Sequence, residues 1–223
     1  MSYCLVPITV TELQALVGKD FILNFQREMD AYLQPYRKNV AKGRPLSMGK
    51  ELWEYAVADS IVGAEWCGAG KGIADVSISD KVKCDVKSIQ IIKKTTTEAS
   101  MYQPLASQED ASVFFKQKDK KSLWNLFVNG WLKKVSDIED YYMLAIFRDE
   151  NLNCSLAGFK VSNKKLSYLE ENCQFTKKSM KITSIIDNNL ANIKAYLGKT
   201  RLEIRITSKV FSDPTYTMNI YKY

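Results

Sequence analysis

Charged residues at every second position mark the stretch from Gly72 to Ile92, which reads GIADVSISDKVKCDVKSIQII. Lys83, Asp85 and Lys87 alternate with smaller or apolar residues, and Asp75 lies in the preceding apolar segment. Successive side chains of a β-strand point to opposite faces of the sheet. The three charged residues therefore share one face of a predicted strand, and a hairpin would bring Asp75 to the same side.

This combination of residues suits metal-assisted chemistry at phosphorus. Two carboxylates a few ångströms apart repel each other unless a cation lies between them. Mg²⁺ would do this for Asp75 and Asp85, since it binds oxygen ligands and keeps several waters. One of those waters can attack phosphorus. The ammonium of Lys87 can orient that water or offset the charge that develops on the phosphoryl oxygens.

A solvated sheet face is the alternative explanation of the same pattern. Alternating charges are typical of a strand with one side in water. An Asp-any-Lys triplet is also short and frequent, and the chain has a second one at Asp119–Lys121. The hairpin alone therefore leaves both interpretations open.

The composition excludes several classes of catalytic site. Histidine is absent from the 223 residues, which removes His/Cys zinc centres, Ser-His-Asp triads and Cys-His nucleophiles. Carboxylates, lysines, tyrosines and hard metal ions remain. The five cysteines have no paired spacing, which indicates a reducing compartment. The net charge of +7 is compatible with a nucleic-acid partner, and equally with a lysine-rich surface.

Helical spacing of apolar residues comes first along the chain. Residues 11–33 are predicted to be helical, with Thr11 as the N-cap. Gly18 is expected to divide this stretch into two helices, and Pro35 to end it.

The remaining elements follow from periodicity and turn residues. Further helices are predicted from near Ser47 through Val62, at about 119–135 and near 184–197. Strands are predicted at about 73–79, 82–91, 141–148 and 153–161, and over RLEIRITS and YTMNIYKY. The glycine-rich segment 63–72 is predicted to be a loop, and 93–110 a long polar irregular segment. This order predicts an α/β protein, an α+β mixed sheet flanked by helices.

Three short motifs in a fixed order give the pattern a context. They are Trp53-Glu54 on a predicted helix, Ala74-Asp75 at the start of a strand, and Asp85-Val86-Lys87 on the next strand. Together they resemble the PD-(D/E)xK nuclease superfamily, which includes most type II restriction endonucleases. The resemblance covers about residues 48–92, with the helix and strands that follow. The family's frequent proline before the first aspartate is Ala74 here.

The resemblance implies a restriction-endonuclease-like core and a Mg²⁺-dependent type II restriction endonuclease, with Mn²⁺ as a possible substitute. Such an enzyme hydrolyses double-stranded DNA at a short specific sequence, within a restriction–modification system, and acts as a homodimer. Asp75 and Asp85 would hold the metal, Lys87 would position the attacking water, and Glu54 would bind a second metal or its water shell. The products would carry a 5′-phosphate and a 3′-hydroxyl. The expected organisation is a single nuclease domain, 1–223, with an N-terminal helical segment (1–46), a catalytic core (47–161) and a C-terminal helix and strands (162–223).

The acidic residue on the helix is less tightly defined than the other three. Glu51 and Glu54 lie about one helical turn apart and are near neighbours. In the family the acidic residue commonly follows a large apolar residue, and Trp53 precedes Glu54. We therefore predict Glu54 as the site residue and keep Glu51 as the alternative.

Contacts to DNA are expected from basic and polar residues near the hairpin. The predicted residues are Lys71, Lys83, Gln90, Lys93 and Lys94. Such side chains suit phosphate contacts, which position a protein on DNA without specifying its sequence. The GAGKG segment around Lys71 lacks the spacing of a phosphate-binding P-loop, so we expect a connector there.

The chain is predicted to be a cytoplasmic protein of a bacterial or archaeal cell. No apolar run is long enough for a membrane helix, and the N-terminal residues lack the features of a signal peptide. Two functional alternatives stay open. One is a structure-specific, repair or phage nuclease of the same fold. The other is a non-catalytic nucleic-acid-binding domain, whose binding would depend on salt but not on Mg²⁺.

Overall fold

The structure is a computed structural model. It describes residues 5–36, 42, 49–68, 74–91, 97–104, 140–161, 173–175, 179–182, 190–196 and 201–223. The helix predicted at about 119–135 lies outside these residues.

Three of the four α-helices described lie within the first 60 residues, and the fourth lies close to the C-terminal strand. They are α1 (Val10–Val17), α2 (Phe21–Leu33), α3 (Lys50–Ser60) and α4 (Ser208–Phe211), with a short 3-10 helix at Gln34–Tyr36. Gly18 follows α1 with φ +89°, a conformation that glycine adopts without strain. The prediction that Gly18 divides the first helical stretch is confirmed.

Helix α1 begins two residues earlier than the sequence suggested. Its N-cap is Thr9, so the predicted N-cap Thr11 is wrong. The Thr9 hydroxyl accepts a hydrogen bond from the amide of Glu12 at 3.3 Å. The Glu12 carboxylate accepts one from the amide of Thr9 at 2.7 Å. This reciprocal capping box satisfies two backbone donors that would otherwise lack partners, and its spacing was available in the sequence as Thr-Val-Thr-Glu.

The first two helices bury one apolar face. The buried side chains are Leu13, Val17, Phe21, Phe25, Met29 and Leu33. They pack with Trp53, Ala56 and Val57 of α3 and with one face of a β-sheet in a single core. Each fully buried side chain of this size contributes roughly 1.5–3 kcal/mol to stability.

Twelve strands are described. They are β1 (Leu5–Pro7), β2 (Glu65–Trp66), β3 (Val76–Ser77), β4 (Val82–Gln90), β5 (Glu98–Pro104), β6 (Asp140–Arg148), β7 (Cys154–Val161), β8 (Cys173–Phe175), β9 (Ser179–Ile182), β10 (Ala191–Tyr196), β11 (Arg201–Thr207) and β12 (Thr217–Tyr221). They form two sheets.

The larger sheet carries the hairpin that holds the charged residues. Its order is β1-β7-β6-β4-β3-β2, and β12 also pairs with β7. Strands β4 and β6 are parallel, and the other pairs are antiparallel. Strands β6 and β7 are buried on both faces, as their nearly continuous apolar sequences predict. The predicted strands at 141–148 and 153–161 are confirmed.

The smaller sheet is antiparallel, in the order β5-β11-β10-β9-β8. The helix predicted near 184–197 is wrong for residues 191–196, which form strand β10; residues 184–189 of that prediction lie outside the described residues. This strand pairs with β9 on one side and β11 on the other. Tertiary pairing on both edges therefore overrides the local helical spacing.

Two segments predicted to be irregular contain short strands. Strand β2 lies inside the glycine-rich segment 63–72, where residues 65 and 66 pair with β3. Strand β5 lies inside the polar segment 93–110 and pairs with β11 along its whole length. Both strands take part in long-range pairing that local turn and polarity signals do not reveal.

Helix α4 connects the two sheets. It follows β11 directly, and the Ser208 amide donates to the Thr97 carbonyl at 2.8 Å. The Phe211 ring packs on the Phe147 ring of β6 with centroids 5.4 Å apart. The smaller sheet is therefore anchored to the face of the larger sheet that lies opposite the three N-terminal helices.

The architecture is a mixed α/β fold with a largely antiparallel mixed sheet flanked by helices, as predicted at that level. The single-domain organisation stays a prediction. None of the helices described is long and apolar enough to cross a membrane.

Candidate metal and phosphodiester site

The predicted hairpin forms, and it sets the register of the charged residues. Strands β3 and β4 are antiparallel, with Val76 opposite Cys84 and Ser77 opposite Lys83. The amide of Asp75 donates to the Cys84 carbonyl at 3.0 Å and extends this ladder. Val76 and Cys84 face the helical core. The alternation of side chains then places Asp75 and Asp85 together on the other face.

That face is not solvated. Asp85 is 1% exposed and Lys87 is 8% exposed, and the Asp75 side chain is 18% exposed. A sheet face that merely contacts water would leave these charges open to solvent. The alternative of a solvated face is therefore wrong for Asp85 and Lys87, which are almost fully buried. Because burying charges without partners is costly, these side chains are expected to be paired.

Lys87 holds the two carboxylates together. Its ammonium nitrogen lies 3.1 Å from Oδ2 of Asp75 and 3.9 Å from Oδ2 of Asp85. The same Asp75 oxygen accepts a hydrogen bond from the Val86 amide at 2.8 Å. Asp75 is thus fixed by both the backbone and the side chain of β4.

The pKa of Lys87 is raised above its usual value. Burial acts to lower this pKa, but the negative charges of Asp85 and Asp75 and the hydrogen bond to Asp75 outweigh burial, and the charge of Glu54 adds to them. Lys87 is therefore an ammonium at neutral pH. It can donate hydrogen bonds and stabilise negative charge, but it is not poised to accept a proton.

Helix α3 brings Glu54, rather than Glu51, towards this cluster. Glu54 is 2% exposed, and its charge acts on Lys87. Oε2 of Glu54 accepts a hydrogen bond from the Trp66 indole at 3.4 Å. Glu51 lies in the first turn of the helix and is exposed.

Tyr141 is a neighbour that sequence reasoning did not identify as part of the site. It lies opposite Lys83 in the parallel pairing of β4 and β6, so its side chain is on the face of Asp85. It is 4% exposed. Burial raises the pKa of its phenol well above 10, and the negative charge of Asp85 raises that pKa further. The apolar run YYMLAIF predicts a buried strand, but it does not indicate which strand pairs with it.

Two of the five residues predicted to contact DNA, Lys83 and Gln90, lie in the described part of the chain. Lys83 is half-buried and donates to the Ser77 hydroxyl at 2.6 Å. Gln90 ends β4 and is exposed. Lys71, Lys93 and Lys94 lie outside the described residues.

The charges of the cluster fit a hard divalent cation. Glu54, Asp75 and Asp85, when ionised, carry three negative charges against the one positive charge of Lys87, so the four side chains sum to −2. Oxygen donors of this kind select Mg²⁺ or Mn²⁺. Within the described residues, no three acidic or cysteine side chains are close enough to hold a metal by themselves. A cation bound at Asp75 and Asp85 would therefore need waters and phosphate oxygens to complete its shell.

No family model, curated protein or solved structure gives a significant match to this chain.

Proposed function

We propose that this protein is a Mg²⁺-dependent endonuclease that hydrolyses double-stranded DNA at a short specific sequence. The observation that supports this most strongly is the buried cluster in which Lys87 bridges Asp75 and Asp85, with Glu54 on the adjacent helix. Residue types and chain order agree with the PD-(D/E)xK nucleases. The proposal includes a restriction-endonuclease-like core and, within that superfamily, a type II restriction enzyme.

Each side chain has a role in this proposal. Asp75 and Asp85 bind Mg²⁺, with Mn²⁺ as a substitute, and Glu54 binds a second metal or the water shell. The bound cation supplies Lewis acidity and a nucleophilic water. The Lys87 ammonium orients that water by hydrogen bonding and stabilises charge on the phosphoryl oxygens. This role agrees with its raised pKa, which disfavours a role as general base.

The wider setting of the proposal is a cytoplasmic homodimer acting in a restriction–modification system. A two-fold symmetric protein matches a two-fold symmetric DNA site, and each subunit would cut one strand. The net charge of +7 favours association with a polyanion.

Plasmid digestion tests the proposal directly. Purified protein with Mg²⁺ and a mixture of plasmids is expected to give discrete fragments, whose ends carry a 5′-phosphate and a 3′-hydroxyl. Lys87→Ala and Asp85→Asn are expected to lose at least about a hundredfold in rate, in line with the loss of one transition-state contact. Asp80→Asn, in the exposed hairpin turn, is the matched control and should cut normally.

Three other results would reject parts of the proposal. Intact plasmid together with Mg²⁺-independent DNA binding would indicate a non-catalytic binding domain. Laddering, or cutting only at junctions and flaps, would indicate a repair or phage nuclease instead of a restriction enzyme. Undiminished cutting by Lys87→Ala would show that this cluster is not the active site.

A further inference from the structure

Trp66 connects the edge of the large sheet to the carboxylate of Glu54. It belongs to the short edge strand β2 and lies opposite Val76, the residue that follows Asp75. Its indole Nε1–H donates to Oε2 of Glu54 at 3.4 Å. A residue from the glycine-rich segment thus reaches a buried acidic side chain on α3.

The indole is held in place by its neighbours. Its ring packs on the Tyr55 ring with centroids 4.5 Å apart and planes at 57°. Gly68 turns the chain with φ +80°, and a Cβ built there would lie 3.5 Å from the indole ring. The Cys67 amide also donates to the Asp75 carbonyl at 3.0 Å. The segment that carries Trp66 is therefore fixed to the backbone of the site itself.

The chemistry of this contact suits a group that orients a metal-binding carboxylate. An indole N–H is a donor only, so it fixes one carboxylate oxygen without competing for a cation. Neighbours that orient metal ligands commonly change metal affinity by about 10–100-fold when they are removed. A bond of 3.4 Å is long for N–H···O, and such bonds at active sites often tighten when the ligand is bound.

We infer that Trp66 is a positioning residue, which holds the Glu54 carboxylate for the cation and its water shell. This inference rests on the proposed nuclease function and extends it to a residue outside the three acidic positions and the lysine. Trp66 is 37% exposed, so part of its surface faces solvent. A cation held by Glu54 or its water shell would be expected to shorten this hydrogen bond.

The indole proton gives a readout that does not depend on cleavage. The chain has four tryptophans, so a ¹⁵N-labelled sample gives four indole signals, and Trp66→Phe identifies the one that is lost. Titration with Mg²⁺ is expected to shift the Trp66 signal downfield. Glu54→Gln is expected to reduce that shift, and Mn²⁺ to broaden the Trp66 signal.

Trp66→Phe keeps an aromatic ring against Tyr55 but removes the N–H. We expect calorimetry to show about tenfold weaker Mg²⁺ binding by this variant, with cleavage restored by excess Mg²⁺. Asp85→Asn should not be rescued in that way. Val62→Ala, at an 83% exposed position between α3 and β2, is the control and should behave like the unmodified protein.

The outcomes separate the two proposals. If the unmodified protein cuts DNA and Trp66→Phe binds Mg²⁺ with unchanged affinity, the role of Trp66 is refuted and the nuclease proposal stands. An indole signal that does not move with Mg²⁺ in a metal-binding, active protein leads to the same conclusion. If the unmodified protein neither binds Mg²⁺ nor cuts DNA, both proposals are overturned.

Discussion

Lys87 is the residue that joins the charges of the cluster, because its ammonium lies between two carboxylates. An ammonium in this position acts on the carboxylates as a bound cation would. It reduces their mutual repulsion, and it would compete for the same oxygens with the metal proposed to bind there. Lys87 is therefore expected to stabilise the metal-free fold and to weaken the binding of a metal at the same carboxylates.

Replacing this ammonium by an apolar side chain tests both its effect on stability and its effect on metal binding. Lys87→Met is expected to lower the free energy of unfolding in EDTA by about 3 kcal/mol, since it leaves buried carboxylates without this partner. The same variant should bind Mg²⁺ more tightly, because the competitor is gone, while cleavage is lost. Thermal unfolding with and without Mg²⁺, together with calorimetry, checks this. Weaker Mg²⁺ binding by Lys87→Met would contradict the idea that ammonium and metal compete.

Tyr141 makes a separate prediction at alkaline pH. Its folded-state pKa lies well above the ordinary value of 10. Above pH 10 the unfolded chain therefore loses this proton first, and stability falls as pH rises towards the folded-state pKa. Tyr141→Phe cannot ionise, so its free energy of unfolding should fall less steeply above pH 10. Urea titrations at pH 8 to 11 measure the slope, with the exposed Tyr223→Phe as the control. Equal slopes for Tyr141→Phe and the unmodified protein would contradict the assignment.

At the scale of elements, caps and close contacts decide where helices and strands end. Helix α1 shows this, because the hydroxyl that caps it belongs to Thr9 although Thr11 is of the same type. Position, rather than composition, determines the contribution of each threonine to stability.

The two threonines form a matched pair of variants. Thr9→Ala removes the side-chain cap and is expected to lower the free energy of unfolding by about 1 kcal/mol. Thr11→Ala, at an exposed site inside the helix, should have little effect or slightly stabilise the helix. Urea denaturation distinguishes them. A larger loss for Thr11→Ala would contradict the observed cap.

Gly158 provides a second test at this scale, on strand β7. A Cβ added there would lie 2.8 Å from Cδ1 of Ile8 and 3.1 Å from Cδ1 of Leu13. Gly158→Ala is therefore expected to cost about 1–3 kcal/mol by overpacking. Ile8→Val removes the nearest methyl group, so the double variant should be more stable than the sum of the two changes predicts. A neutral Gly158→Ala, measured by urea denaturation, would show that Ile8 moves aside freely.

The residues whose structure follows from the sequence are those governed by local periodicity. The helices on either side of Gly18, the hairpin around Asp80 and the strands that contain Tyr141 and Leu156 are all of this kind. The placement of Asp75 and Asp85 on one face also follows, since it needs only alternation along each strand and the register set by the short turn between them. These features depend on nearest neighbours along the chain.

The misassigned features depend on partners that are remote in sequence. Residues 191–196 have helical spacing but are strand β10, because strands on both sides pair with them. Trp66 lies in a segment that reads as a loop, and only its pairing with β3 brings the indole to Glu54. The contact of Tyr141 with the site depends on the parallel register of β4 and β6. No period of the sequence encodes that register.

At the scale of the whole molecule, the positive net charge of +7 makes a prediction about the proposed binding of DNA. Binding that displaces counterions from phosphates weakens as salt concentration rises. The cleavage-deficient Lys87→Ala protein is expected to lose at least about tenfold in affinity between 50 and 200 mM salt. Fluorescence anisotropy with a labelled duplex measures this. Affinity that does not change with salt would contradict DNA as the partner.

The edge of the large sheet has a mechanical consequence. Strand β1 pairs with β7 at residues 159–161, the Ile8 amide reaches the Gly158 carbonyl, and β12 pairs with residues 154–157. The two segments therefore run in the same direction and lie end to end along a single strand. A force that pulls residues 5 and 221 apart acts along that strand, across hydrogen bonds perpendicular to it. The bonds of each segment are then loaded together in shear and resist as a group, whereas an unzipping geometry would break them one at a time.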